Sequence, residues 1–263
     1  MGSKIGIQLA HAGRKGSTTR PGSDHPIATE AEGGWIAEAP SAIAYGNMPI
    51  PHALTVSEIK QLVQDFADAT KRSVDVGFDV IELHGAHGYL LHQFLSPLSN
   101  LRTDEYGGSF ENRTRFLLET AKAVRGAMPN SMPLFVRISA TDWVEGGWDL
   151  EQSTQLATLL KDAGVDLIDV SSAGLSDKQE VIAGPGFQVP FATAIRKETG
   201  IMTTAVGLIT EPEQADHIIQ TGEADAVFMA REFLRNPRFP FYAAEKLGVK
   251  VQWPLPIERG KKL

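Results

Sequence analysis

The sequence predicts an α/β protein in which parallel strands alternate with helices. Apolar runs of strand length recur near residues 5–9, 79–84, 134–139, 165–171, 202–206 and 226–229. Segments with helical spacing of apolar residues lie between them, joined by turns that contain glycine, and this order is typical of repeated βαβ units. The 263 residues match the length of a whole (β/α)8 barrel, ~250 residues. Only six units can be counted, so the pattern leaves open a six-stranded open sheet or a barrel whose first two strands lie elsewhere.

Local signals place the elements in chain order. The first strand is followed by residues 14 to about 54, which contain scattered Gly and Pro without periodicity and predict a long loop. Thr55-Val-Ser-Glu58 has the form of a capping box and predicts a helix up to Gly77. A second loop is expected over 91–108. Further helices are expected over 116–128, 149–163, 191–198, 210–222 (opened by a second capping box, Thr210-Glu-Pro-Glu213) and 242–247.

The composition excludes several classes of function. The net charge of −7 gives no basic surface for nucleic acid or anionic lipid, and no apolar run reaches the ~20 residues of a membrane span. The absence of cysteine rules out disulfides, cysteine nucleophiles, thiolate zinc sites and iron–sulfur clusters. We therefore expect a cytoplasmic protein in which residues 1–263 form a single domain.

The stretch from Ile81 to Tyr89 is the clearest candidate for chemistry. Apolar and polar residues alternate into His84, and Gly85 and Gly88 then end the strand, so His84, His87 and Tyr89 follow at its carboxyl end. Parallel α/β proteins place their active sites at this end of the strands. From spacing alone, the histidines are equally consistent with a structural pair or a metal pair lacking a third ligand, and Tyr89 with a packed aromatic ring.

Two polar side chains interrupt strands that would otherwise be apolar. Gln8 and Arg137 point away from their apolar neighbours on the predicted alternation. A guanidinium inside an α/β protein needs a partner. The carboxylates Glu82 and Asp169, which fall on polar faces of neighbouring strands, are candidate partners that would form an internal ion pair.

Longer runs of the sequence resemble the Old Yellow Enzyme family of flavin-dependent ene-reductases, and the resemblance covers essentially the whole chain. Residues 7–14 (IQLAHAGR) are similar to the family's third barrel strand and residues 84–97 (HGAHGYLLHQFLSP) to its fourth. The loop of residues 100–113 (NLRTDEYGGSFENR) and the strand motifs VRIS, AVGLI and MARE, which begin at Val136, Ala205 and Met229, match later parts of the barrel. The pair His84 and His87 and the ending Glu258-Arg259-Gly resemble the thermophilic-like subgroup.

The resemblance implies a TIM-type barrel that binds FMN and uses NAD(P)H to reduce enones or enals. His84 and His87 would hold the carbonyl oxygen of the substrate, and Tyr89 would protonate its α-carbon. Gln8 and Arg137 would contact the flavin, and Gly207, Ala230 and Arg231 its phosphate. Arg259 would reach the active site of a neighbouring subunit, which implies a homo-oligomer. No metal site is implied, and the loop of residues 102–112 is expected to be structural.

The resemblance also implies that the chain holds strands three to eight of the family's barrel. Nothing in it corresponds to the family's first two βα units, so we expect an incomplete barrel of about six units with two strand edges unpaired. A second hypothesis follows from this difference. The chain would then be a catalytically silent barrel fragment or interaction subunit that needs a partner chain to complete the fold.

Overall fold

The computed structural model describes residues 2–260 and contains one parallel sheet of six strands. Its strands are β1 Gly6–Leu9, β4 Val80–Gly85, β5 Leu134–Ser139, β6 Leu167–Ser171, β7 Met202–Ala205 and β8 Ala226–Val227. They have the spatial order β1-β4-β5-β6-β7-β8, so that successive units along the chain lie side by side. Two short strands, β2 Glu38–Ala39 and β3 His52–Ala53, pair separately. The prediction of alternating βαβ units with a parallel sheet is confirmed.

Helices follow the strands of the main sheet, as βαβ connections require. They are α1 Val56–Asp75, α2 Leu90–Leu95, α3 Phe110–Ala127, α4 Leu150–Asp162, α5 Val189–Thr199, α6 Pro212–Gln220, α7 Arg231–Arg235 and α8 Phe239–Lys246. The predicted capping box at Thr55 is confirmed, since its side chain accepts from the amide of Glu58 while the Glu58 carboxylate accepts from the amide of Thr55. Among the described residues, no helix combines the length and hydrophobicity that a bilayer crossing requires.

The two faces of the sheet differ in chemistry because neighbouring residues of a strand point to opposite sides. One face carries fully buried apolar residues such as Leu83, Val136 and Val170, which belong to the main hydrophobic core. The other face carries Glu82, Arg137, Asp169 and their neighbours. The sheet is therefore packed by helices on its apolar face and holds polar groups on the opposite one.

The edges of the sheet are formed by β1 and β8. In the described part of the chain, β1 pairs only with β4, and β8 pairs only with β7. Phe228, directly after β8, lines a cavity of about 270 Å³ together with Ile7, Glu82 and Phe135 from β1, β4 and β5. The sheet therefore curves, so that its two edges face a common interior space.

Several local predictions need correction. The second capping box is wrong, because α6 begins at Pro212 after Glu211 and Thr210 makes no capping hydrogen bond. Helix α3 begins at Phe110 rather than near residue 116, since Ser109 accepts the amide of Asn112 and caps the helix earlier. The loop of residues 14–54 contains two single-turn 3-10 helices in addition to β2 and β3.

Candidate active site

The candidate site is built on one row of side chains across four neighbouring strands. The register aligns His84 on β4 with Arg137 on β5, Arg137 with Asp169 on β6, and Asp169 with Thr204 on β7. Aligned residues of parallel strands point to the same face. The row therefore brings a histidine, a guanidinium, a carboxylate and a hydroxyl together near the carboxyl ends of the strands, where parallel α/β proteins place their chemistry.

Arg137 and Asp169 form an ion pair inside this row. Nε of Arg137 lies 3.0 Å from Oδ2 of Asp169, and the Thr204 hydroxyl donates to Oδ1 of the same carboxylate at 2.6 Å. Asp169 is fully buried, whereas Arg137 remains 23% exposed. The internal ion pair predicted from strand alternation is thus present, and the exposed part of the guanidinium still faces the cavity that Arg137 lines.

Gln8 and Glu82 form a second polar pair on the same face. Nε2 of Gln8 donates to Oε1 of Glu82 at 2.6 Å across β1 and β4. Burial raises the pKa of Glu82 to about 7, and the nearby charge of Asp169 adds to this effect, while the hydrogen bond from Gln8 and the charge of Arg137 oppose it. Glu82 therefore changes its charge near neutral pH.

We expect the Glu82→Gln variant to be more stable than the wild type above pH 7 but not at pH 4.5. A carboxyl whose folded-state pKa of about 7 exceeds its ordinary value of 4.5 destabilises the fold once the pH is high enough to ionise it in the unfolded chain. The penalty is absent below pH 4.5, develops as the pH rises to 7 and stays constant above that. Urea unfolding at pH 8.5 should show a gain of about 1–3 kcal/mol. A gain that does not change with pH would contradict the assignment.

His84, His87 and Tyr89 lie together at the end of β4. The ring centroids of His84 and His87 are 5.1 Å apart, and those of His84 and Tyr89 are 5.0 Å apart, both in edge arrangements. His84 is the last but one residue of β4 and is buried, whereas His87 and Tyr89 lie in the following turn and are half-buried. The structure thus brings the three residues into one cluster, as their sequence spacing predicts.

The two histidines of this cluster are neutral at physiological pH. Burial lowers the pKa of His84 to about 4 and that of His87 to about 3, and the positive charges of Arg137 and Lys15 add to this effect. Nδ1 of His84 has no hydrogen-bond partner in residues 2–260. A buried polar atom without a partner is available to a ligand.

A lysine that the sequence reasoning missed lies against the same cluster. Nζ of Lys15 donates to the carbonyl oxygens of His87 and Gly174 at 3.0 and 2.9 Å, and it lies 4.5 Å from the ring centroid of Tyr45 and 5.6 Å from that of Tyr89. No carboxylate of the described chain forms an ion pair with it. Burial therefore lowers its pKa, and the charge of Arg14 lowers it further.

The expected phosphate-binding residues line a cavity of about 270 Å³ next to Arg137. Gly207, Ala230 and Arg231 all contribute to its wall. Gly207 has a φ of +121°, and a Cβ atom there would lie 2.9 Å from the side chains of Phe187 and Gln188. Glycine is therefore required at this point by its positive φ and by the close packing of these two side chains. Two arginines, Arg137 and Arg231, line this cavity, so the chemistry of its wall suits an anionic group such as the phosphate that the resemblance implies.

One predicted site residue lies apart from this cluster, and so does the loop that was expected to be structural. Arg259 is exposed in the C-terminal 3-10 helix, Leu255–Gly260, and no contact in the described chain joins it to the histidines or Tyr89. Arg102 is mostly buried and donates to the carbonyl oxygen of Pro40 and to Asp104, which is a structural arrangement. Within residues 2–260, no group of three or more His, Asp or Glu side chains is arranged to hold a metal ion.

Two serines at the carboxyl ends of strands are further site residues that the sequence analysis did not single out. Ser139, at the end of β5, accepts a hydrogen bond from the amide of His87 at 2.9 Å. Ser171, at the end of β6, lies with its Oγ 2.7 Å from Nε2 of His87. Because active-site residues follow parallel strands, both serines could have been proposed from position alone. The buried position of Lys15 carries no comparable signal, since lysine is almost always exposed.

Comparison with known proteins agrees with this geometry. The sequence profile of the NADH:flavin oxidoreductase / NADH oxidase family matches residues 1–249. An NADPH dehydrogenase of Geobacillus thermodenitrificans (strain NG80-2) is 48% identical over 260 residues, which cover 98% of this chain and 71% of the relative. Morphinone reductase superposes with a TM-score of 0.74 at 27% identity over 97% of this chain and 68% of that one. A 2-naphthoyl-CoA reductase complex gives a TM-score of 0.76 at 27% identity over 81% and 33% of the two chains.

The chain is shorter than these proteins, since it spans 71% of the NADPH dehydrogenase, 68% of morphinone reductase and 33% of the 2-naphthoyl-CoA reductase chain. The profile match nevertheless includes all six strands of the main sheet and the whole polar row. The resemblance to Old Yellow Enzymes noted in the sequence is therefore confirmed. This chain belongs to the NADH:flavin oxidoreductase / NADH oxidase family, an oxidoreductase family whose cofactors are FMN and NAD(P)H.

Proposed function

We propose that this chain binds FMN and reduces the carbon–carbon double bond of α,β-unsaturated carbonyl compounds at the expense of NAD(P)H. Residues 1–263 act as one barrel domain in this proposal. The observation that carries it is the cluster of His84, His87 and Tyr89, which lies beside Arg137 and its cavity at one end of the sheet. In this proposal the histidines supply hydrogen-bond donors, Tyr89 supplies a proton, and the neighbouring cavity wall binds the anionic part of the cofactor.

His84 and His87 bind the carbonyl oxygen of the substrate. Neutral imidazoles suit this task, because they donate hydrogen bonds to the oxygen as negative charge develops on it without giving it a full proton. Ser171 Oγ lies 2.7 Å from Nε2 of His87 but 3.4 Å from Oε1 of Gln188. The proposal requires that Ser171 donates its proton to Nε2 of His87, which leaves the imidazole proton on Nδ1 for the substrate oxygen.

Tyr89 delivers a proton to the α-carbon once hydride has reached the β-carbon. Its ring is held edge-on to His84 with a centroid distance of 5.0 Å, and the positive charge of Lys15 lies on the same ring. A hydroxyl next to the oxygen-binding pair is placed for general-acid catalysis of the second half of the reduction. FMN supplies the hydride in this scheme.

Arg137 and Gln8 hold the electron-rich edge of the flavin ring, and Gly207, Ala230 and Arg231 hold the phosphate. The pair with Asp169 fixes the guanidinium of Arg137 while leaving part of it free to face the ring. Glu82 similarly fixes the amide of Gln8. These residues orient the cofactor and set its electrostatic surroundings, which is the contribution that proteins make to flavin chemistry.

We further propose that the sheet is an incomplete barrel of strands three to eight, and that Arg259 serves the site of a second copy in a homo-oligomer. The open edges of β1 and β8 support the first proposal, and the exposure of Arg259 supports the second. The open edges also favour the competing hypothesis of a catalytically silent fragment that pairs with another chain.

Titration of the purified chain with FMN separates the two hypotheses. We expect the fluorescence of FMN to be quenched at a 1:1 stoichiometry, and the loaded protein to consume NADPH and 2-cyclohexenone in equal amounts. A protein with only nonspecific affinity for FMN would show neither saturable quenching nor turnover of NADPH. Absence of quenching would contradict the enzyme hypothesis and favour the silent fragment.

A further inference from the structure

The turn between His84 and Tyr89 is held by side chains from outside it. All four polar main-chain atoms of His87 and Gly88 bond to side chains. The bonds are His87 N to Ser139 Oγ (2.9 Å), His87 O to Lys15 Nζ (3.0 Å), Gly88 N to His92 Nδ1 (2.9 Å) and Gly88 O to Gln93 Nε2 (2.7 Å).

This turn needs such support because its backbone is unusual. His87 has a φ of +57° and Gly88 a φ of +71°, so two successive residues adopt the left-handed region. A residue with a side chain occupies this region at a cost of about 1–3 kcal/mol and does so only when its surroundings enforce it. The direction in which His87 and Tyr89 project follows from these two dihedral angles.

His92 makes its bond to this turn from a fully buried position. Its Nδ1 accepts the amide proton of Gly88, so this nitrogen carries no proton and the ring is not an imidazolium. The ring proton is therefore on Nε2, which lies 3.0 Å from Oδ1 of Asp142; the two atoms are not aligned as a hydrogen bond, but the negative charge of the carboxylate stabilises a proton at this position. Asp142 consequently fixes which nitrogen of His92 is free to accept from Gly88.

Asp142 is itself held rigidly. Both it and His92 are 0% exposed, and Oδ2 of Asp142 accepts from Oγ of Ser96 at 2.6 Å and from the amide of Trp148 at 2.8 Å. Burial alone would raise the pKa of Asp142, but the close contact with His92 and the hydrogen bonds from Ser96 and Trp148 lower it below its ordinary value. The carboxylate is therefore ionised, and it orients a neutral imidazole.

We propose that His92 and Asp142 are positioning residues for the reduction, because they fix the left-handed turn that presents His87 and Tyr89 to the substrate. The proposal rests on the proposed function for the roles of His87 and Tyr89. The pair itself contacts neither substrate nor cofactor, and acts only through the main chain of Gly88.

The test compares His92→Leu, His92→Asn and Asp142→Asn with the control His217→Leu, which removes an exposed histidine of α6. Leucine cannot accept the Gly88 amide, whereas the Oδ1 atom of asparagine can replace Nδ1. We expect His92→Leu to lower kcat for 2-cyclohexenone by about 10–100-fold with little change in KM. His92→Asn should recover most of this loss. Oxidation of NADPH by O2, which requires no protonation of carbon, should stay within about twofold.

Equal loss of enone and O2 turnover in His92→Leu, or no loss of either, would overturn the proposal. If His92→Leu does not fold, the proposal is tested by the enone turnover of His92→Asn and Asp142→Asn. Asp142→Asn should lower enone turnover by about threefold or more, because the amide no longer fixes the proton on Nε2 of His92. Unchanged turnover in both variants would overturn the proposal.

A second readout does not depend on turnover. Long-range ¹H–¹⁵N spectra of the ¹⁵N-histidine-labelled protein at pH 7 should show His92 protonated on Nε2 and not on Nδ1, and a proton on Nδ1 would overturn the proposal. A wild type that shows this tautomer but reduces no enone would contradict the proposed function and leave the tautomer assignment intact.

Discussion

Replacement of Tyr89 by phenylalanine is expected to lower kcat for enone reduction by about 10²–10⁴-fold, the usual contribution of a positioned general acid. Phenylalanine preserves the ring that packs edge-on against His84 at 5.0 Å and the contact with Lys15. Only the proton donor is lost. Stopped-flow measurement should therefore show unchanged reduction of the bound flavin by NADPH and slow reoxidation by 2-cyclohexenone.

Tyr45→Phe provides a matched control for this prediction. Tyr45 packs against the same lysine, with its ring centroid 4.5 Å from Nζ of Lys15, but it makes no ring contact with His84. Removal of its hydroxyl should leave enone turnover within about threefold of the wild type. Equal turnover by Tyr89→Phe and the wild type would exclude Tyr89 as the proton donor.

Replacement of Arg137 by methionine is expected to destabilise the folded chain by about 3–5 kcal/mol at pH 8, because it leaves the fully buried Asp169 carboxylate without its cation. The Thr204 hydroxyl would remain as its hydrogen-bond donor. Burial already raises the pKa of Asp169 in the wild type. Loss of Arg137 should raise it further, so the destabilisation should shrink as the pH falls and the carboxyl becomes protonated.

Urea unfolding of Arg137→Met, Asp169→Asn and the double variant measures this effect. The double variant should regain most of the stability that Arg137→Met loses, since it contains no unpaired charge. A loss below about 1 kcal/mol in Arg137→Met, or no recovery in the double variant, would show that the pair is not electrostatically coupled. Arg137→Met and the double variant should also bind FMN more weakly than the wild type, because both lack the guanidinium, whereas Asp169→Asn retains it.

Much of the sheet could be predicted from the sequence because its strands show a clear alternation of apolar and polar residues. Strands β4, β5 and β6 alternate apolar and polar residues, so alternation indicated Glu82 or Asp169 as the partner of Arg137, and the structure shows that it is Asp169. The capping box of helix α1 could be predicted because its two partners, Thr55 and Glu58, lie within four residues of the sequence. Local patterns of this kind need no knowledge of the tertiary fold.

Features that depend on distant contacts could not be predicted in this way. Helix α2 was missed because all six of its residues are buried, which removes the polar face that marks a helix in sequence. Its His92 pairs with Asp142, fifty positions further along the chain. Lys15 is buried by two tyrosine rings and two carbonyl oxygens that also come from distant segments. Nothing adjacent in sequence to these residues indicates their partners.

The destination of deuterium in the product tests the central claim most directly. Reduction of 2-methyl-2-cyclohexenone by the FMN-loaded chain in D2O with unlabelled NADPH should place deuterium on the α-carbon, and NADPH deuterated at C4 of the nicotinamide in H2O should place it on the β-carbon. Mass spectrometry and NMR of the product distinguish the two positions. Solvent deuterium on the β-carbon, or reduction of the carbonyl group in place of the double bond, would contradict the roles assigned to His84, His87 and Tyr89.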